Sequence, residues 1–138
     1  MYETDRGQIE RLDPALNVEA NCSSGGNEGM AQDLLGNLYV ADDTATPSTF
    51  QTIHLAAQRE DGSLTDPALE RDIDAPGSAT VKGIAVAHEA GLLFAANVGG
   101  NSIEVFGTAA GDMAQPLAST ALPANCWDLA YNETQDIL

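Results

Sequence analysis

The residues best suited to chemistry in this chain are oxygen and nitrogen donors that follow short apolar runs. Asp42 and Asp43 come after Leu38-Tyr39-Val40-Ala41, and Asn97 and Asn101 come after Leu92-Leu93-Phe94-Ala95-Ala96. Carboxylates and amide oxygens are hard ligands of the kind calcium collects in sets of six to eight. The same residue types also close turns by bonding their own backbone, and Gly99-Gly100-Asn101 suits a hairpin. Both readings stand for Asp42, Asp43 and Asn97, and the chain has no Asp-x-Asp-x-Asp-Gly loop to favour calcium.

Nucleophile and metal signatures are otherwise missing. The sequence has no Gly-x-Ser-x-Gly elbow and no His-Glu-x-x-His, and its glycine-rich stretch Gly25-Gly26-Asn27-Glu28-Gly29 is acidic and lacks the lysine a phosphate loop needs. His54 lies between Ile53 and Leu55, facing the more solvated side of a strand, and His88 falls in a turn. Neither has a neighbouring carboxylate or cysteine that would make it a base or a ligand. Cys22 and Cys126 can form one disulfide in an oxidising compartment or stay as two thiols, and a metal site from them is disfavoured without a CxxC or histidine partner.

Charge narrows the partners. With 21 acidic against 5 basic residues the formal charge is −16, and Arg6, Arg11, Arg59, Arg71 and Lys82 do not cluster. Nucleic acid and anionic membranes both need clustered cations, so neither is expected as a partner. There is no apolar run long enough to span a membrane. Met1-Tyr2-Glu3-Thr4-Asp5-Arg6 is polar and lacks the apolar region of a signal peptide. An acidic, solvated surface suits a salty or outer-surface setting, and an extracytoplasmic location (periplasmic, secreted or cell surface) is expected.

The elements that must position these residues repeat. Gly29 to Asp42, Gly83 to Ala96, and Asp128 to Leu138 align without gaps, offset by 54 and then 45 residues. A tandem array of this period indicates modules that bury their apolar faces against one another. In the second copy Ile84–Ala87, Leu92–Ala96, Ile103–Phe106 and Leu117–Leu122 read as four short strands separated by turn residues. Ile103, Glu104 and Val105 alternate as in a half-buried strand. In the first copy Leu38–Ala41 and Gln51–Leu55 are strands two and three, and Gln8–Leu12 is an outer strand of a preceding unit. Helix is scarce, at most one turn over Asp66–Arg71. Four antiparallel strands in about 45 residues is the size of a β-propeller blade, whereas a β-helix has shorter coils. The expected fold is all-β, with residues 28–80 and 81–125 as blades, 126–138 opening a further blade, and 1–27 an outer strand with a linker.

The phrases Gly83-Ile84-Ala85-Val86, Gly36-Asn37-Leu38-Tyr39-Val40-Ala41-Asp42 and Ala95-Ala96-Asn97 with Asn101-Ser102-Ile103-Glu104-Val105-Phe106 resemble NHL and YVTN-type β-propeller repeats, which also recur in lactonase-like propellers. The resemblance covers most of residues 28 to 138. It implies that the first strand of each blade lines a central channel, and that one loop face gathers Glu28, Asp42, Asp43, Lys82, Asn97, Asn101, Cys126 and Trp127. The opposite face would carry Leu34, Leu35, His88, Glu89, Glu133 and Thr134. Trp127 at the channel mouth either stacks on a ligand or wedges between blades.

Three functions follow from this reading. The first is a non-catalytic propeller module binding a protein or small-molecule ligand on its loop face. The alternatives are a lactonase-like, metal-dependent hydrolase and a structural cell-surface component. Calcium is the cofactor the oxygen donors would suit. The incomplete third copy leads us to expect that the ring is completed by blades of a longer chain or by copies of this one.

Overall fold

The computed structural model describes residues 2–5, 8–23, 28–34, 37–42, 49–54, 69–74, 80–109 and 115–138. Eleven strands among them form three antiparallel sheets. The first holds β1 (Tyr2–Asp5), β2 (Gln8–Leu12) and β3 (Val18–Ser23) in that order. Two four-stranded sheets follow. One runs β4 (Met30–Gln32), β5 (Asn37–Asp42), β6 (Thr49–His54), β7 (Leu69–Asp74). The other runs β8 (Val81–Ala87), β9 (Leu92–Asn97), β10 (Ser102–Gly107), β11 (Ala118–Ala121).

Each four-stranded sheet is a meander in which sequential strands are neighbours, as in a propeller blade. The antiparallel order excludes the β-helix alternative, whose strands stack in parallel. Among the first 27 residues the described ones form three strands, where one was expected. A single helical turn over Asp66–Arg71 is also corrected. Leu69 pairs with Ile53 and Arg71 with Thr52, so residues 69–71 are edge-strand backbone, and ladder bonding to β6 overrides the local helical preference of Leu-Glu-Arg. Residues 66–68 and Leu55 lie outside the described residues.

Local chemistry sets the hairpins. Asp13 accepts from the backbone N–H of Ala15 and of Asn17 at 2.8 and 2.9 Å, and from the Asn17 amide at 3.0 Å, which closes the β2–β3 turn. Donation from the Asn17 side chain comes first among the causes that hold the Asp13 carboxyl below the usual carboxylate value. The β4–β5 turn repeats the device. Asp33 accepts from Asn37 N at 2.8 Å and Asn37 Nδ2 at 2.7 Å, and Tyr39 OH adds a third bond at 3.1 Å.

The core lies between the two four-stranded sheets. Tyr39 and Ala41 of β5 meet Val81, Ile84 and Val86 of β8, Leu93 and Ala95 of β9, and Phe106 of β10, with Ala31 packed against the cluster. Burying such side chains contributes about 1.5–3 kcal/mol each for the larger ones. β8 is buried along almost its whole length on both faces, as an inner strand must be.

What brings the sheets together is a close backbone approach at the repeat's glycine. Gly29 donates its N–H to the Lys82 carbonyl at 2.8 Å, and a Cβ on Gly29 would lie 2.4 Å from that oxygen and 2.9 Å from Gly83 Cα. A Cβ on Gly83 would lie 2.4 Å from Asp128 Cα. The aligned positions 29, 83 and 128 therefore stack in series, each of the first two needing glycine because the next copy's backbone fills the side-chain space. Gly83→Ala should consequently destabilise the fold by about 1–3 kcal/mol through forced backbone displacement. Gly107→Ala, with nothing within 4 Å of its added Cβ, should change the urea midpoint far less, and equal effects of the two would contradict the packing.

Candidate ligand-binding face

Strand register decides which loops share an end. Val81 and Ser102 both pair with Asn97, Ser102 also pairs with Ala121, and Met30 pairs with Val40. Glu28, Asp42, Lys82, Asn97 and Asn101 thus sit at one end of their sheets, where Leu122 to Trp127 also crosses from the outermost strand β11 to the start of the third copy. The opposite end holds the turns at Asp33–Leu34 and His88–Gly91, with Glu133 reaching over the latter.

At the first end, positions 28, 82 and 127 are equivalents in the repeat, each preceding the stacking position. Lys82 Nζ bonds Glu28 Oε1 at 2.6 Å, with the two side chains 17% and 29% exposed. This partial burial screens the pair less than an open surface would. The backbone is tied beside it by Ala41 N to Gly29 O at 2.9 Å. Trp127, the third equivalent, is 62% exposed. Its indole presents a large amphipathic surface to solvent.

The amide residues are committed within the protein. Asn97 is buried, donates from Nδ2 to Glu104 Oε1 at 3.0 Å, and accepts the Gly100 N–H on Oδ1 at 2.9 Å. Its side chain therefore closes the β9–β10 turn and holds a buried acid. Asn101 is exposed with φ of 50°, a left-handed conformation asparagine tolerates, and its carbonyl accepts from Leu122 N at 2.7 Å. Asp42 ends β5 opposite Thr49, and Asp43 lies outside the described residues. Among the described residues no three His, Cys, Asp or Glu are grouped so as to hold a metal ion.

Cys126 is a free thiol whose Sγ lies 3.1 Å from the Asp128 carbonyl oxygen. Cys22 belongs to the first sheet, opposite Ile9 on β2, whereas Cys126 follows the third sheet and turns back onto its own loop.

Several residues with structural or chemical roles escape a reading by alternation. Glu104 is buried with Ser102 and Phe106, while Ile103 and Val105 are half-exposed. The orientation is the reverse of that expected, because this face of β10 closes onto the neighbouring sheet. Glu133 reaches from the third copy to accept His88 N at 3.1 Å and Glu89 N at 2.8 Å, capping the β8–β9 turn across 45 residues of sequence. Beside this turn a cavity of about 270 Å³ is lined by Asp33, Leu34, Val86, His88 and Thr108. The aligned positions 34, 88 and 133 were the available signal, since each copy's turn sits over its predecessor's.

The third copy docks through Tyr131, which stacks on Phe94 with ring centroids 5.4 Å apart and donates its hydroxyl to Asp136. That hydrogen bond, reinforced by desolvation and the charges of Asp136, Glu133 and Glu89, pushes the Tyr131 phenol up from 10.0 to about 12.

Comparison with solved structures finds a likeness of fold. The chain is similar in structure to apo AztD from Citrobacter koseri, with a TM-score of 0.57 and 12% sequence identity. The match covers 94% of this chain and 35% of that one, so the chain spans about a third of its neighbour's length. At this identity the likeness speaks for fold, and it agrees with the propeller-like, all-β arrangement of the sheets. No protein-family model and no curated protein matches the sequence. Among the described residues no helix is long and apolar enough to cross a membrane.

Two measurements check this account. Asn97→Ala removes a hydrogen bond to a buried carboxylate and should cost about 1.5–3 kcal/mol in urea denaturation. Because the folded phenol of Tyr131 binds its proton more tightly than the unfolded one, its contribution to stability is complete below pH 10 and lost as pH rises toward 12. In an ultraviolet titration Asp136→Ala should bring the ionisation of Tyr131 down toward its ordinary value.

Proposed function

We propose that the chain is a non-catalytic propeller module working outside the cytoplasm, which takes a protein or small-molecule ligand on the end where Trp127 stands. The observation that carries this reading is the exposed indole of Trp127 at the position that in the preceding copies is occupied by the paired Glu28 and Lys82. Exposed tryptophans are the commonest anchors of binding surfaces, where a large rigid side chain gains area at little entropic cost. The acidic charge of the chain supports an extracytoplasmic setting and partners that are neutral or basic. The repeat phrases around Gly36–Asp42 and Asn101–Phe106 support blades of the NHL or YVTN type.

Binding is preferred to hydrolysis because the polar side chains seen at this end are engaged with one another. Asn97 serves Glu104 and Gly100, and Lys82 serves Glu28. A lactonase-like centre would need such groups directed at a metal or a carbonyl instead. Calcium remains the cation that the carboxylates of this end would suit, as a structural or bridging ion.

Trp127 is the one tryptophan of the chain, so its emission reports on this end alone. A panel of basic peptides, neutral glycans and calcium should contain a species that both raises the melting temperature and shifts Trp127 emission. Trp127→Ala should remove the affinity by a factor of about ten or more while leaving the unliganded melting temperature nearly unchanged. Lactone turnover that disappears on substitution of Asp42 or Asp43 would overturn the binding reading.

A further inference from the structure

The cavity at the opposite end has the makings of a second site. It lies where the turn after β8 crosses the turn after β4, and its wall combines apolar Leu34 and Val86 with Asp33, His88 and Thr108. At the next junction along the array Glu133 stands at the equivalent position and accepts from two backbone N–H groups. His88 holds the place of Glu133 at this junction and, among the described residues, makes no such cap. Its Nδ1 is buried and has no hydrogen-bond partner.

A hydrogen on Nδ1 would be a donor sealed from every acceptor, which costs more than an unused lone pair in the same position. The neutral ring's favoured tautomer therefore carries its hydrogen on Nε2, so the cavity combines an imidazole N–H donor with a carboxylate acceptor. Asp33 is held in place by Asn37 and Tyr39, and a carboxylate oxygen can accept from more than one donor. A ligand anion would meet Asp33 and a chain of charge −16. A ligand ammonium would set donor against donor at His88. A hydroxyl satisfies both groups, accepting from Nε2–H while donating to the carboxylate.

From this we infer that the cavity between the β4–β5 and β8–β9 turns is a binding site for a small neutral polyol, of the size of one sugar ring. At about 270 Å³ it falls just below the roughly 300–1,000 Å³ of pockets that hold drug-sized ligands, which suits a single ring and not an oligomer. Val86, which is buried, and Leu34, which is exposed, give the apolar surfaces against which a ring's C–H face rests. The site is independent of the Trp127 end, so either can fail without the other.

The test is nitrogen-detected NMR of the two histidines in the intact chain, titrated with glucose and, separately, with glycerol, butyrate and butylammonium. Glucose or glycerol should move the His88 Nε2 signal saturably and leave His54 and Trp127 in place. His88→Leu, which installs the residue found at the aligned position 34, should weaken glucose binding about tenfold or more, as expected for loss of a buried hydrogen-bond donor. Thr108→Val offers a second variant, read by the same Nε2 signal and expected to weaken binding less. A response to butyrate or butylammonium with glucose and glycerol silent would overturn the polyol assignment. So would drifts that are unsaturable and shared by both histidines, or the absence of any response.

Discussion

The arrangement rests on the contact of backbone with backbone where the first strands of successive copies meet. Gly29 against Lys82 and Gly83, and Gly83 against Asp128, leave no room for a side chain, and the N–H of Gly29 is spent on the Lys82 carbonyl. This approach sets the spacing of the sheets, and the spacing in turn lets Tyr39 and Ala41 reach Ile84, Leu93 and Phe106. Move the inner strands apart by the width of a methyl group and the shared core loosens with them, since interiors are packed as densely as organic crystals. The hydrophobic cluster supplies most of the driving force, but the glycines decide where it can form.

From that contact the two ends of the molecule acquire different characters. One carries the inner-strand starts, where Glu28 and Lys82 neutralise each other and Trp127 stays open to solvent. The other carries short turns that overlap from copy to copy, capped by Glu133 at one junction and hollow beneath His88 at the other. Identical scaffold positions thus hold an acid, a base and an aromatic on one side, and leucine, histidine and glutamate on the other. Functional difference in a repeat array resides in such substitutions, because the strands themselves are constrained by packing.

Much of the architecture could be read from the residues. The glycine-led apolar runs at 84–87 and 92–96 and the alternating segment at 103–106 became β8, β9 and β10, and the repeat offset pointed to blades. Less legible were β1 and β3, whose Tyr-Glu-Thr-Asp and Val-Glu-Ala-Asn-Cys-Ser segments lack an apolar run and become strands through pairing with β2. Glu104 shows the other limit. Where both faces of a strand are covered, alternation ceases to say which face is the inner one, and a buried acid is paired by a residue that sequence proximity does not single out. At the loops, Asn97 and Lys82 were recognisable as polar groups at the right end, but whether they face a ligand or each other depends on partners 7 and 54 residues away. The cavity under His88 joins segments still farther apart, and only the aligned turn positions hinted at it.

The third stacking position carries a consequence for the order of the modules. Asp128 can be approached by the preceding copy, since Gly83 leaves the room. Its own Cβ, however, would deny the same approach to whatever strand lies beyond it. The contact is therefore directional: a glycine copy can sit in either role, while a copy bearing aspartate can act as the receiving partner and not as the approaching one in this geometry. Equivalent repeats ordinarily risk docking out of turn as they fold, because each interface offers the same welcome to every neighbour. A single side chain at the stacking position gives this array a polarity, so that the third copy cannot stand in for the first or second.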